Sequence, residues 1–240
     1  MQRKLILTSD GSHTISLPEL NVTYHSIHGA IQESKHVFIE AGLKSLAAAK
    51  ESILNIFEMG FGTGLNALLT IIEAERLQQR IYFETVEQFP LASSQIMSLN
   101  YCKQLVREDL QLIFEQMHYS EWEQKIELTP GFIFKKSKIN LLTLPIQQAI
   151  SRTPGISETF GAPGTFDLIF FDAFAPNVQP ELWTKDIFEK MFVLLKPGGV
   201  LVTYCSKGEV RRGMEAAGFV VEKLPGPKGK REMVRARTRM

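Results

Sequence analysis

An α/β architecture built on a doubly wound, mainly parallel sheet is predicted for these 240 residues by three observations. From about Ser52 onward, apolar strand-like runs alternate with helix-like stretches. Two of the runs, Phe166-Asp-Leu-Ile-Phe-Phe171 and Val200-Leu-Val-Thr-Tyr204, are almost continuously apolar, as central parallel strands covered on both faces are. The first run, Ile53 to Glu58, leads through Gly60, Gly62 and Gly64 directly into a helical pattern from Leu65 to Ala74. In such a sheet ligands bind beyond the carboxyl ends of the strands, at the switch point beside the first one.

Residues 1–45 read as an entry segment of short β-like pieces (Leu5 to Thr8, Thr14 to Leu17, Val22 to His25) broken by Asp10-Gly11 and Pro18, with a helix from about Glu33. It is too small to fold alone and should pack on the larger unit, residues 46–240. The strands expected there are Ile53 to Glu58, Ile81 to Glu87, Phe132 to Lys136, Phe166 to Asp172, Val200 to Cys205, Val220 to Leu224 and Met233 to Arg237. Cys102 to Leu128 reads as mostly helical, its aromatic residues as core. The turn-rich stretch Thr153 to Thr165 is expected to be a loop on the face away from the site, without chemistry. Lys196-Pro-Gly-Gly199 should end a helix from Thr184 to Leu195 and turn the chain into the fifth strand. The last two strands, joined by Pro225 to Arg231, suggest an antiparallel hairpin at the sheet edge, which a plain dinucleotide-binding half lacks and class I methyltransferases usually carry.

Composition bounds the partners. Hydrophobic residues make up 44%, enough for a full core, and the net charge is +1. The charge is uneven: from Lys207 to the end, ten Lys/Arg face four Glu, a +6 tail on a body of −5. Such a tail either seats phosphates or is a solvated face. Cys102 and Cys205 have no paired spacing and read as reduced packing residues. The five histidines have no metal-ligand spacing, and no apolar run has the length of a membrane span or a signal peptide, so a cytoplasmic protein without metal is expected.

The chemistry centres on Glu58-Met-Gly-Phe-Gly-Thr-Gly-Leu-Asn66. Glycine lets a ligand approach the main chain, and the following helix offers free N–H groups. The spacing is compatible with a methyl-donor site, a dinucleotide site or a tight structural turn. Glu58 would repel a pyrophosphate but suits the ammonium of an amino-acid-bearing ligand such as S-adenosylmethionine. Glu87, closing the second strand, can accept two ribose hydroxyls of either cofactor. Asp172, at the end of the fourth strand, is the candidate catalytic group: a carboxylate there can accept the N–H of a nucleophilic amine and stabilise its developing positive charge. It could equally anchor the loop after the strand. No GxSxG elbow and no phosphate-loop lysine is present.

Tyr24-His-Ser26, Glu33-Ser-Lys-His-Val-Phe-Ile39, the glycine motif, Glu87-Gln-Phe-Pro-Leu91, Asp172-Ala-Phe-Ala-Pro176, Pro180-Glu-Leu-Trp183, Thr203-Tyr-Cys-Ser206, Val210-Arg-Arg-Gly213 and Gly229-Lys-Arg-Glu-Met233 occur in one order along the chain. Together they resemble the tRNA 5-methylaminomethyl-2-thiouridine methyltransferases, the methyltransferase half of the bifunctional bacterial MnmC enzymes. The resemblance implies a class I S-adenosylmethionine-dependent fold (Rossmann-like) and N-methylation of 5-aminomethyl-2-thiouridine at the tRNA wobble position. It implies that Gly60, Phe61, Gly62, Thr63, Gly64, Asn66, Glu87 and Gln88 hold the cofactor with Glu58, that Tyr24, Ser26 and Glu33 help close its site, and that Asp172 lies near cofactor and amine. Phe174 and Pro176, with Arg211, Arg212, Lys230 and Arg231, are then expected on the substrate or tRNA side. Two departures are visible. The chain has no second nucleotide fingerprint for a flavin oxidase, so a stand-alone methyltransferase without FAD is expected. Ser137-Lys-Ile-Asn140 replaces the family's Gly-Asp-Ile-like stretch, which leaves Asn140 or the main chain near Ile139 to read adenine. A small-molecule amine methyl- or aminopropyltransferase of the same fold, or a non-catalytic RNA-binding protein, are the alternatives.

Overall fold

The computed structural model describes residues 2–46, 52–143 and 164–239. Its centre is the parallel set β4 (Leu54–Met59), β5 (Ile81–Val86), β7 (Phe132–Ser137), β8 (Phe166–Phe171) and β9 (Leu195–Thr203). These lie in the order β9-β8-β4-β5-β7, all neighbours parallel. The chain leaves β4 toward β5 on one side and returns to β8 on the other. The order therefore reverses between β4 and β8, the crevice where a doubly wound sheet takes its ligand. At one edge β10 (Val220–Pro225) and β11 (Glu232–Arg237) form the expected antiparallel hairpin, with β11 against β9.

The other edge departs from expectation. Lys125–Thr129 is a strand, β6, antiparallel to β7, where a helical stretch to Leu128 was predicted. Helix is confined to Tyr101–Gln104 and Gln111–Tyr119. The cause is local: Pro130-Gly131 turns the chain, with Gly131 at φ +82°, and Lys125 to Thr129 alternates outward and inward residues instead of keeping a helical period. Of the predicted loop from Thr153 to Thr165, residues 153–163 lie outside the described residues.

Both faces of the sheet are covered, which explains the continuous apolar runs. On one face α2 (Leu65–Leu77) packs with Phe38, Phe83, Phe134 and Phe170; on the other α6 (Lys185–Leu194) and α7 (Gly208–Ala216) cover Phe57, Phe171 and Leu201. Phe57, Phe83, Phe170 and Phe171 are wholly buried, each worth roughly 1.5–3 kcal/mol relative to exposure. Thr184 caps α6, its hydroxyl accepting from Ile187 N at 3.4 Å, and Leu195 leaves the helix directly into β9.

The entry segment forms a three-stranded antiparallel sheet, β1 (Lys4–Leu7), β2 (His13–Leu17) and β3 (Val22–Thr23). A short helix, Ala30–Ser34, follows it and continues through a π-helical turn, Lys35–Glu40. Val37, Phe38 and Ile39 of that turn are buried, with Phe38 5.2 Å from the Phe170 ring. Among the described residues no helix is long and apolar enough to cross a membrane.

Candidate functional site

The end of β4 and the end of β8 are locked together by the main chain: Asp172 N donates to Met59 O at 3.1 Å. Gly60 follows at φ +94°, and a Cβ there would stand 2.8 Å from Asp172 O. No other residue fits that approach without displacing the strand end. Gly60 N and Phe61 N both donate to Val86 O, tying the turn to β5 as well. Phe61 is buried, 4.9 Å from the His118 ring and 5.7 Å from Phe134, and acts as the peg that fixes the turn. Gly64 caps α2 in a left-handed conformation.

Above this turn opens a cavity of about 1230 Å³. Its floor is Gly60, Phe61, Gly62, Thr63 and Asn66 with Asp172. Glu87, Gln88, Ile139 and Asn140 also line it, as do Tyr24, Ser26 and Glu33 of the entry segment and Phe174. The residues expected to hold a cofactor are thus brought to one cavity, with two exceptions. Gly64 shapes the turn from below. Glu58 is wholly buried beneath it, its carboxyl accepting from Thr85 Oγ1 at 2.8 Å. Burial, reinforced by Asp172 and Glu87, pushes its carboxyl well above the usual carboxylate range, and the side chain does not line the cavity wall.

Glu87 uses both oxygens to brace the rim: Oε2 accepts from Gly62 N at 2.9 Å and Oε1 from Phe89 N at 2.7 Å. Each oxygen keeps a second lone pair for a hydroxyl. Asn140 Oδ1 accepts from Leu142 N at 3.0 Å; Lys138 is exposed, does not line the cavity, and donates its main-chain N–H to Glu123 Oε1 at 2.8 Å. Asp172 accepts from Asn66 Nδ2 at 2.9 Å, and its remaining exposure is to the cavity. Burial first, and then Glu33, push its carboxyl up to about 7 against the opposing effects of Asn66 and Lys230. A carboxyl poised there changes charge near neutrality.

A second set of contacts was not anticipated. Lys230 lines the cavity, with Nζ 2.5 Å from Glu33 Oε1 and 3.9 Å above the centroid of the Tyr204 ring. Glu33 Oε2 accepts from Ser26 N at 2.6 Å, and Tyr204 OH donates to Ala173 O at 2.8 Å. Tyr204 stands just past the end of β9, beside β8, where the strand-end rule could have found it. Arg3 gave no such signal; its guanidinium donates to Phe89 O at 2.6 Å and Pro90 O at 2.8 Å and closes one end of the cavity. Tyr24 packs edge-on against Phe174 with centroids 5.1 Å apart, and burial pushes its phenol up to about 12. Pro176 is buried outside the cavity, and Arg211 and Arg212 on α7, like exposed Arg231, lie away from it.

Beneath the turn runs a buried polar chain: Tyr101 OH donates to Thr63 Oγ1 at 3.1 Å, His25 bridges Thr63 (3.4 Å) and Thr14 (3.0 Å), and His118 Nε2 donates to Thr63 O at 3.2 Å. Burial lowers both imidazoles to about 4, so they are neutral spacers. Among the described residues no group of three or more His, Cys, Asp or Glu is placed to hold a metal.

Comparison with known proteins agrees with this geometry. Residues 108–239 match the model of a family described as S-adenosyl-L-methionine-dependent methyltransferase. The tRNA 5-methylaminomethyl-2-thiouridine biosynthesis bifunctional protein MnmC of Pseudomonas fluorescens is 33% identical over 219 residues, covering 88% of this chain and 31% of that protein. The protein of the same name from Cupriavidus metallidurans is 32% identical over 237 residues, 97% of this chain and 33% of its own. The chain therefore spans about a third of the length of these relatives. In fold it is similar to the crystal structure of MNMC2 from Aquifex aeolicus (TM-score 0.74, 23% identity, 100% of this chain and 72% of that one). Spermidine synthase from Thermotoga maritima shares the fold more distantly, with TM-score 0.54, 12% identity, and coverage of 98% and 68%.

Proposed function

The chain belongs to the S-adenosyl-L-methionine-dependent methyltransferase family, and from that premise we propose that it methylates the primary amine of 5-aminomethyl-2-thiouridine at the wobble position of tRNA. The observation that carries the reading is the meeting of Asp172 with the glycine turn on the floor of one cavity at the switch point of the sheet. The names of the Pseudomonas and Cupriavidus relatives supply the substrate class.

The residues present fit the donor. Gly60 and Gly62 leave a bare main chain, Glu87 has lone pairs for ribose hydroxyls, and Ile139 and Asn140 form the side on which a purine would rest. When bound, S-adenosyl-L-methionine supplies a methyl carbon made electrophilic by its sulfonium. The protein must then present an amine with a free lone pair close to that carbon. Asp172 performs this by accepting an N–H of the amine and taking up its proton as nitrogen becomes positive. A carboxyl near 7 suits the task, being available as an acceptor at neutral pH and basic enough to hold a proton. Asn66 keeps one carboxylate oxygen engaged and so fixes the rotamer of the other. Tyr24 and Phe174 offer aromatic walls for a flat base. Arg211, Arg212 and Arg231, outside the cavity on the +6 tail, are assigned to tRNA phosphates. Such a role would be exercised in the cytoplasm, where tRNA is modified.

The direct test is incubation with isotopically labelled methyl donor and tRNA carrying 5-aminomethyl-2-thiouridine, followed by mass analysis of the nucleosides. Label in the 5-methylaminomethyl nucleoside supports the reading. Label appearing only in a free small amine transfers the assignment to the small-molecule alternative.

A further inference from the structure

Gln179 lines the cavity, and its side chain is fixed by the same loop that carries Asp172. After β8 the chain turns on Ala175, whose carbonyl accepts from Val178 N at 2.8 Å and from Gln179 N at 3.1 Å. The turn folds the Gln179 amide back on Phe174, and Phe174 N donates to its Oε1 at 3.1 Å. Trp183 Nε1 donates to Phe174 O at 2.7 Å, from a buried indole whose ring lies 5.0 Å from that of Phe171. Phe174 is thus held through both of its main-chain polar groups. The two ends of a glutamine amide are alike in shape, and here the main chain decides between them: an N–H only donates, so the end that meets Phe174 is the oxygen and the other end is the NH2. The described contacts of Gln179 leave Nε2 without an acceptor. With the oxygen turned to the main chain, what the side chain has left to offer a ligand is a donor.

We propose that Gln179 reads the C4 edge of the substrate base, donating from Nε2 to the O4 of uracil and rejecting cytosine. The proposal rests on the 5-aminomethyl-2-thiouridine reading of the cavity and adds to it the group that recognises the pyrimidine. On such a base the reacting aminomethyl arm stands on C5, and C4 with its oxygen is the adjoining ring atom. The loop after β8 offers the matching pair to one cavity: the Asp172 carboxyl for the amine and the Gln179 amide for the oxygen beside it, with Phe174 as a flat wall. Cytosine carries an amino group at C4, whose hydrogens would face those of Nε2. A free glutamine relieves such a clash by turning its amide over. Here the rotation would set Nε2 against Phe174 N–H and replace one donor–donor contact by another. The choice of base is therefore anchored in the backbone of the loop, and not in the side chain alone.

The test compares tRNAs that differ only at C4 of the wobble base, one carrying 5-aminomethyl-2-thiouridine and the other 5-aminomethyl-2-thiocytidine, with transfer of labelled methyl measured as kcat/KM. The wild type should prefer the uridine substrate by about tenfold or more, the cost of a donor left without its partner. Gln179→Glu keeps an oxygen for Phe174 N and exchanges the remaining donor for an acceptor, so kcat/KM should fall on the uridine substrate and rise on the cytidine one. Gln179→Leu should narrow the gap between the two. Binding of S-adenosylhomocysteine, measured by calorimetry, checks that each variant is folded. Equal use of both substrates by the wild type overturns the proposal. So does the pattern of a purely structural residue, in which Gln179→Glu behaves as wild type and Gln179→Leu slows both substrates alike. In either case methylation of the uridine substrate leaves the proposed function standing, whereas transfer to neither substrate by the wild type defeats that function and this inference with it.

Discussion

Asn66 Nδ2 donates to Asp172 Oδ2 at 2.9 Å, so the first turn of the helix after the glycines aims the carboxylate at the end of the neighbouring strand. Asp172→Ala should therefore remove the acceptor without disturbing the nucleoside side of the cavity. Turnover on tRNA is expected to fall by roughly 10²–10⁴, the usual contribution of a general base, with S-adenosylhomocysteine affinity little changed. Steady-state kinetics beside calorimetry check this, and equal turnover in variant and wild type would remove Asp172 from the chemistry.

The same carboxyl links proton and cofactor binding. With its pKa at about 7, a cationic ligand binds best to the ionised form. Affinity for the sulfonium donor should rise as pH goes from 6 to 8, by at most about tenfold per unit. Affinity for uncharged-sulfur S-adenosylhomocysteine should rise less, and in Asp172→Asn the two should run parallel. For stability the sign is the reverse: the folded value lies above the ordinary 3.8, so the contribution of this group is fully present below 3.8 and is lost as pH rises through 7.

The buried histidines act in the opposite sense. His25 and His118 are lowered from 6.5 to about 4, so the stability they confer is present above 6.5 and lost as pH falls through 4. Urea unfolding followed between pH 7 and 4 should show a steep decline from both groups, about 1.4 kcal/mol per unit for each proton taken up. His118→Gln should make that decline shallower; an unchanged slope would mean that His118 is not the neutral spacer described.

Replacing Arg211, Arg212 and Arg231 together with Gln should weaken tRNA binding and flatten its dependence on salt, because fewer counterions are released per complex. Donor binding should be untouched, since none of the three lines the cavity. Filter binding across a salt series would show it, and an unaltered slope would take the tail out of the RNA interface.

The readable part of this protein was the part whose physics is local. Apolar runs marked the parallel strands, glycine spacing marked the turn, and strand-end position placed Glu87 and Asp172 on one cavity. Lys125–Thr129 escaped because a short edge strand has little buried surface to impose its period, and the Pro130-Gly131 turn was the one available signal. Glu58 differs for another reason: position along the strand says that a carboxyl is near the turn, but not that its side chain is buried beneath it. Lys230 shows the limit of charge counting. Gly229 and Arg231 on either side of it are exposed, whereas Lys230 lines the cavity in a turn that lies against His28 and His36.

The Glu33–Lys230 contact joins positions 197 apart, and Arg3 closes the same cavity from the other end of the chain. The cavity is thus walled by parts far apart in sequence, and a molecule whose β10–β11 turn fails to seat on the entry segment would keep its glycine turn but lose part of the wall above it.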